Sequence, residues 1–559
     1  MFSLDNYGVV YTPNNLADFV AELLFDQVNN IAGNVINEVN ILDPACGEGI
    51  LLHTISKVFK SKSNIIPINY GIDVDENVIK NDKHFFPKAN FNFFLQNTIL
   101  PSSNLSADNY WKRRIKNISC IIANPPWSAE KVFDSSDLNN AGYRFGIGQY
   151  DSYVLFLELS LKLLKPDGFL AFIIPDSLFS GENKELRRFI LENTEIKVIA
   201  RLGEKLFPNV NRATSVIVIK NTKPSPDSKT NCYRLDTIDR KAFLDGKLRL
   251  IDNYHQKSHY VLQHRFLDNA NYVFDIDTHE EEEKLIDKIE KNCINWKKIF
   301  RFGRGVEISK SGNVVTCPNC QMTQGYTKKH LSSNGKKCQF CGNQIVFNSS
   351  SPFSIISDRL LPGFTPMYVG ENLHRYSING IKYIKPNVKG INYKNAEQYV
   401  PPKILIRKTG LGIDACIDYE STYISQTIYS VNFINNNHKV PLEFYLGVLN
   451  SRLIYYYYLK KYGENEWKSH PYLTKDIVFS LPIKQVNDEN KDIAFNIADK
   501  VKKIQYEYTR KLDIDIEKLV LTLYGIDKDE VNMVFETLNS LPDLSAINHM
   551  KIKDGELDV

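Results

Sequence analysis

Cysteine is scarce in this chain. Nine in 559 residues are too few for a disulfide scaffold. Long apolar runs are missing too: the best, residues 168–175, falls far short of the roughly 20 residues that span a bilayer. The opening Met1-Phe2-Ser3-Leu4-Asp5 lacks the basic start and apolar stretch of a signal peptide. There is no Walker A loop. Glu282-Glu283-Lys284 spells the end of a PD…ExK nuclease motif but lies in a charged helical stretch. No internal repeat and no clear dimer seam stand out. These absences predict a soluble cytoplasmic monomer with no membrane partner.

Apolar residues make up 43% and charged residues 24%, the balance of a folded globular protein. The length suits about three domains. The net charge of +4 hides an asymmetry. Residues 296–480 carry 24 Lys+Arg against 11 Asp+Glu, and residues 486–559 carry 10 against 16. A basic middle segment is the footprint of a polyanion-binding domain, or else a solvated basic face.

Strands and helices alternate over the first 220 residues. Leu16, Phe19, Val20, Leu23 and Leu24 form a helical stripe. Strands are expected at residues 41–42, 65–74, 118–123, 169–174 and 216–219, with a helix over 153–164. This predicts an α/β domain with a mainly parallel sheet over residues 1–225. A connecting segment follows over 226–295, where Thr278 and Glu281 spell a capping box. Short strands and polar turns then suggest an α+β domain over 296–485. A helical tail covers 486–559, with Ile497, Val501, Ile504 and Tyr508 on one face.

Asp43-Pro44-Ala45-Cys46-Gly47-Glu48-Gly49 follows a strand and opens a helix. Gly47 and Gly49 permit a tight turn and close approach of a ligand to the backbone. Asp73, followed by Val74, ends the next strand, where a carboxylate can accept from both hydroxyls of a ribose. The third glycine of a dinucleotide fingerprint is missing and an acid precedes the turn. That polarity fits S-adenosylmethionine, with its ammonium, sulfonium and ribose.

Asn124-Pro125-Pro126-Trp127 ends another strand. The prolines stiffen the backbone, so the Asn124 side chain and the Pro125 carbonyl can act as two fixed acceptors. An exocyclic amine has two N–H groups to give them. Trp127 offers a flat face to a base. Orientation and electrostatics suffice for methyl transfer.

On these residues the first 220 positions resemble the gamma group of amino-methylating DNA methyltransferases, the TaqI-like adenine methylases of restriction–modification systems. Tyr11-Thr12-Pro13 resembles that family's N-terminal cofactor motif. Asp43 to Gly49 matches its methionine loop and Asp73 its ribose acid. Gln96-Asn97-Thr98 falls where the family has an Asp against the cofactor adenine; here it is Asn97. Gln149 to Tyr153 and Lys165-Pro166-Asp167-Gly168 match later motifs. Gly203 to Pro208 resembles the loop whose Phe stacks on the target base, which implies that Phe207 and Trp127 sandwich it.

Cys317-Pro318-Asn319-Cys320 and Cys338-Gln339-Phe340-Cys341 are 17 residues apart. This is zinc-ribbon spacing: four thiolates closing a structural tetrahedral site, over about 313–345. Its lysines, Lys328, Lys329, Lys336 and Lys337, either touch phosphates or are solvated. Residues 305–310, 401–407 and 446–451 resemble the TaqI-type specificity domain, with Arg304, Lys310, Arg407 and Lys408 as base- or phosphate-contact candidates.

The expectation is therefore a Rossmann-like class I methyltransferase domain, then a target-recognition domain with an inserted zinc ribbon, then the helical tail. The resemblance implies adenine N6 methylation of double-stranded DNA in a bacterium or archaeon, alongside a separate restriction endonuclease or defence subunit. The start of the methyltransferase pattern near residue 7 leaves no room for a fused N-terminal nuclease. A methylase of RNA or of the cytosine amine, and a non-catalytic DNA-binding subunit, are the alternatives.

Overall fold

The computed structural model describes residues 12–31, 38–85, 90–127, 133–146, 150–207, 212–347, 351–435, 438–463, 472–553 and 555–557. The chain divides into two compact units, residues 1–281 with 460–469, and residues 282–459 with 470–559. No helix among the described residues is long and apolar enough to cross a membrane.

The first unit is built on one nine-stranded sheet. Its strands are β1 (Asn40–Asp43), β2 (Ile68–Asp73), β3 (Phe91–Leu95), β4 (Cys120–Ala123), β5 (Phe169–Pro175), β6 (Glu195–Gly203), β7 (Thr214–Lys220), β8 (Lys229–Arg234) and β9 (His259–Leu262). They lie in the order β3-β2-β1-β4-β5-β7-β6-β8-β9. The run from β3 to β5 is parallel, and β7 is antiparallel to both its neighbours. Every residue of β1, β4 and β5 is buried. That is the signature of strands covered on both faces, and it explains their unbroken Ile, Leu and Phe runs.

Among the described residues the α-helices of this unit are α1 (Asn14–Ile31), α2 (Ile50–Ser63), α3 (Glu76–Phe85), α4 (Ala107–Lys112), α5 (Ser135–Asn140), α6 (Tyr153–Leu163), α7 (Lys184–Asn193), α8 (Thr237–Leu244), α9 (Leu250–Lys257) and α10 (Gln263–Asp268). The stripe Leu16, Phe19, Val20, Leu23 and Leu24 is buried, and α1 packs on β4, β5 and β7 as well as on α2. The order in which the strands are laid down reverses between β1 and β4. A parallel sheet opens a crevice at that switch point, at the carboxyl ends of the strands.

Two sequence expectations change here. Residues 226–281 are not a mere connector: β8 and β9 extend the sheet. Thr278 does not cap a helix. Its hydroxyl donates to the Lys460 carbonyl at 3.1 Å, and the α-helix starts at Glu283.

The second unit contains two four-stranded sheets. One orders Phe300–Arg304, Ile428–Phe433, Lys403–Arg407 and Ala415–Asp418; the other contains Thr365–Tyr368 at its centre. The helices Lys491–Tyr506, Arg510–Tyr524 and Lys528–Asn539 belong to this unit and are no free tail. Ile497, Val501 and Ile504 are buried, whereas Tyr508 is 47% exposed.

A buried ionic network ties Arg510–Tyr524 to the rest of the unit. Asp513 receives Arg375 at 2.5 Å and Arg452 at 2.7 Å. Glu517 accepts the backbone amides of Arg452 at 2.7 Å and Leu453 at 3.1 Å. Burial alone would raise the Asp513 carboxyl, but the two guanidiniums hold it down at about 2. A depressed carboxylate stabilises the fold above its unfolded value and loses that contribution as pH falls through the folded one. Stability of this unit should therefore drop between about pH 4 and pH 2. Asp513→Asn, which takes a shared carboxylate from two buried guanidiniums, should cost about 3–5 kcal/mol in urea unfolding and flatten that acid limb.

Candidate active site

The glycine loop is pinned to its neighbours before any ligand arrives. Asp43, at the end of β1, is buried, and its Oδ1 accepts the Ala45 amide at 3.0 Å. Cys46 N–H donates to the Ile72 carbonyl at 3.0 Å. Gly47 and Gly49 have φ of 49° and 68°, values that Cβ-bearing residues rarely adopt. Gly47 N–H donates to Asp73 Oδ2 at 2.9 Å, and Asp75 N–H to Oδ1 at 3.0 Å. A carboxylate offers about four lone-pair sites, so about two remain on Asp73. Val74 beside it is an exposed apolar residue, at 46%. Gly49 precedes α2, which begins with neither a side-chain cap nor a first-turn acid, leaving its positive end uncompensated.

On the far side of β2, Thr98 Oγ1 donates to the Pro44 carbonyl at 2.6 Å. Asn97 Oδ1 accepts the amides of Ile99 and Leu100 at 3.0 and 2.9 Å. The side-chain oxygen of Asn97 is thus committed to its own turn.

The tetrapeptide after β4 is held from outside. Asn124 Nδ2 donates to Thr12 Oγ1 at 3.1 Å. Thr12, matched by sequence to a cofactor motif, sits against the catalytic candidate and ties down its carboxamide. Pro13 starts α1: its carbonyl receives the Leu16 and Ala17 amides. Ser152 donates its hydroxyl to the Pro126 carbonyl. Among the described residues the Pro125 carbonyl has no hydrogen-bond partner. Arg212 Nη1 donates to the Trp127 carbonyl at 2.8 Å, while its Nη2 meets Asp151 Oδ2 at 2.8 Å. The Ser177 hydroxyl also donates to Asp151. Arg212 and Ser177 escaped sequence reading because their partners lie 85 and 26 positions away. Tyr11, Gln149 and Pro208 lie outside the described residues.

Trp127 and Phe207 come together, both buried, but not as parallel plates. Their centroids are 5.3 Å apart at 88°, an edge-to-face pair without the slot a base between two faces needs. The Trp127 Nε1 is buried with no partner among the described residues.

In the second unit the four thiols converge. Their Sγ atoms all lie within 4.8 Å of one another, with Cys317–Cys341 at 3.7 Å and Cys320–Cys338 at 3.8 Å. Those distances are far beyond a disulfide bond. The two CxxC turns repeat one another. In each, the residue after the second cysteine is left-handed, Gln321 at φ 58° and Gly342 at φ 77°. In each, the amide of the first cysteine donates five residues ahead, to Met322 and to Asn343. Of the recognition candidates, Lys310 pairs with Glu371 at 3.1 Å and Arg407 with Asp414 at 3.3 Å. Arg304 donates to Gln426 at 3.2 Å. The Lys408 ammonium lies 5.9 Å from both the Tyr429 and Tyr472 rings.

The sheet order and the loops after β1, β2 and β4 place the first unit among Rossmann-like methyltransferase folds. The family model for the N-6 DNA methylase matches residues 3–292, and that for the TaqI-like C-terminal specificity domain matches residues 365–483. The chain belongs to the N-6 DNA methylase family. It is 30% identical over 212 residues to the type II methyltransferase M.BanIII of Aneurinibacillus aneurinilyticus, covering 36% of each chain. It is 23% identical over 275 residues to the type II methyltransferase M.BstVI of Geobacillus stearothermophilus, covering 44% of this chain and 48% of that one. The chain thus spans about a third to a half of these relatives. Among solved structures, a nuclease-deletion mutant of the Type ISP restriction-modification enzyme LlaGI, in complex with a DNA substrate mimic, shares the fold at a TM-score of 0.54 and 14% identity. It covers 90% of this chain and 47% of that one.

The floor of the loop is tightly packed. A Cβ on Gly71 would lie 2.6 Å from Phe93 and 2.9 Å from Cys46 Sγ. Gly71→Ala should destabilise the first unit by about 1–3 kcal/mol, read as a lowered midpoint in thermal or urea unfolding.

Proposed function

We propose that this chain is a site-specific DNA methyltransferase acting on the exocyclic N6 amine of an adenine flipped out of double-stranded DNA, with S-adenosylmethionine as methyl donor. The observation that carries this reading is the Thr12–Asn124 hydrogen bond beside the Pro125 carbonyl. It supports reading the tetrapeptide as a pair of oriented acceptors. The setting we assign is the cytoplasm of a bacterium or archaeon, in a restriction–modification or phage-defence system with a separate endonuclease.

The donor set fits the cofactor. The uncompensated start of α2 suits the methionine carboxylate, the buried Asp43 suits the ammonium, and the remaining lone pairs of Asp73 suit two ribose hydroxyls. Asn97 has only its N–H groups left to offer. It therefore donates to a ring nitrogen of the cofactor adenine, where an Asp would accept from the amine. When bound, S-adenosylmethionine supplies an electrophilic methyl group on a sulfonium.

The residues of the chain do the rest. Flipping a base costs a few kcal/mol, offset by stacking on Trp127 once Phe207 turns away from it. The Asn124 and Pro125 carbonyl groups take the two amine hydrogens and leave the nitrogen lone pair toward the methyl group. A buried donor without a partner is rare, and the Trp127 N–H supports an incoming acceptor at this position.

The four thiols fit a closed structural zinc site. A tetrahedron with metal–sulfur distances of about 2.3 Å has edges of about 3.8 Å, and the Sγ separations of 3.7 and 3.8 Å agree. Native mass spectrometry should find one zinc per chain. Cys338→Ser should lose it and expose residues 313–347 to hydrogen exchange.

Asn124→Ala should lower labelled-methyl transfer to DNA about 10²–10³-fold, with S-adenosylmethionine binding retained. Thr12→Val, which frees the carboxamide to rotate, should cost about 1 kcal/mol, or roughly fivefold in kcat. Single-molecule sequencing of DNA from a methylation-deficient host should find modified adenine in one short motif. Near wild-type transfer by Asn124→Ala would sink the acceptor role.

A further inference from the structure

Neither family match reaches the thiol-bound segment, which lies between residue 292 and residue 365. Residues 308–357 hold five lysines and not one aspartate or glutamate. At the chain's average of 65 acids in 559 residues, fifty residues would carry about six. Solvated surfaces ordinarily intersperse both signs, and a single-sign surface is a polyanion footprint.

The structure adds where these lysines stand. Lys328 and Lys329 lie on the short helix Lys328–Ser332, which packs against the strand Gly335–Lys337 carrying Lys336 and Lys337. Lys328, Lys329 and Lys337 are exposed. None of the three makes an ion pair among the described residues, whereas Lys310, at the edge of the acid-free stretch, is paired with Glu371 at 3.1 Å. The Lys336 ammonium is turned back onto the Gly325 carbonyl at 2.8 Å. Two apolar residues stand exposed in the same insertion, Leu331 at 48% and Phe340, inside the second CxxC turn, at 46%. The insertion has its own small core of Val315, Cys317, Cys338, Ile345 and Phe347, so this surface is presented on a built scaffold and not on a loose loop.

We propose that Lys328, Lys329 and Lys337 form a sequence-independent clamp on the DNA phosphate backbone, added to the recognition domain as a separate contact. The inference rests on the reading of this chain as a DNA methylase. Lysine meets phosphate as a point charge and reads no base, so the clamp sets affinity and register and leaves the target sequence to the specificity domain.

The test is the salt dependence of duplex binding by the full chain. Each phosphate contact adds about 0.9 to the slope of log affinity against log salt. The triple variant Lys328→Gln, Lys329→Gln, Lys337→Gln should lower that slope by about 2–3. It should weaken target and non-target duplexes by the same factor, about tenfold or more at low salt. Its S-adenosylmethionine affinity should match the wild type, which checks the fold, and Lys528→Gln should leave the slope unchanged. A triple variant with wild-type slope and affinity would overturn the clamp alone. A wild-type chain that bound S-adenosylmethionine but no duplex at any salt would overturn the DNA reading and the clamp with it.

Discussion

Two consecutive prolines bring no amide hydrogen to the end of β4, so the Asn-Pro-Pro-Trp loop cannot fasten itself. It is fastened by side chains from elsewhere. Thr12, just before α1, takes the Asn124 amide. Ser152, at the start of α6, takes the Pro126 carbonyl. Arg212, just before β7, takes the Trp127 carbonyl. The positions of α1, α6 and β7 are thus coupled to the geometry of four residues. A loop with its own amide ladder would need none of these hooks, but it would also have no backbone acceptor to spare.

The glycine loop solves the opposite problem. Its amides are plentiful, and some are used internally: Gly47 donates to Asp73 and Cys46 to Ile72. What remains for a ligand is the start of α2 and the outer lone pairs of a carboxylate. One side of the site is acceptor-rich and rigid through proline. The other is donor-rich and shaped by glycine. The proposed substrate amine and amino-acid cofactor would use that division.

Local features were legible in the sequence. The strand ends at Asp43, Asp73 and Ala123 were marked by an acid or a proline step next to apolar runs, and Gly525 and the Asp527/Glu530 box close and open helices as their residue types require. The CxxC spacing foretold the thiol cluster because two tight turns need only neighbouring residues. What was not legible depends on partners remote in sequence. The Thr12–Asn124 bond was unforeseen because nothing near residue 12 announces a partner 112 positions away. β8 and β9 were missed because Lys229–Arg234 and His259–Leu262 are short, mixed strands, β8 taking its pairing from β6 and β9 from β8. The tail was taken as separate because Asp513 and Glu517 read as surface acids until Arg375 and Arg452 are placed beside them. The edge-to-face contact of Trp127 and Phe207 was not legible either, because a motif names the two rings and not the angle between them.

The hydrogen bonds of the site join residues 26, 54 and 112 positions apart. Non-local contacts of this kind, within a parallel sheet, are closed only after the loop-closure entropy of the intervening chain has been overcome, and they form slowly. The Thr12–Asn124 bond has to wait for β1 to β4 to align. A nascent or partly folded first unit accordingly holds no half-working version of the site. The Thr12–Asn124 arrangement comes into being with the completed sheet, so the geometry of this loop and the folding of this unit are one event.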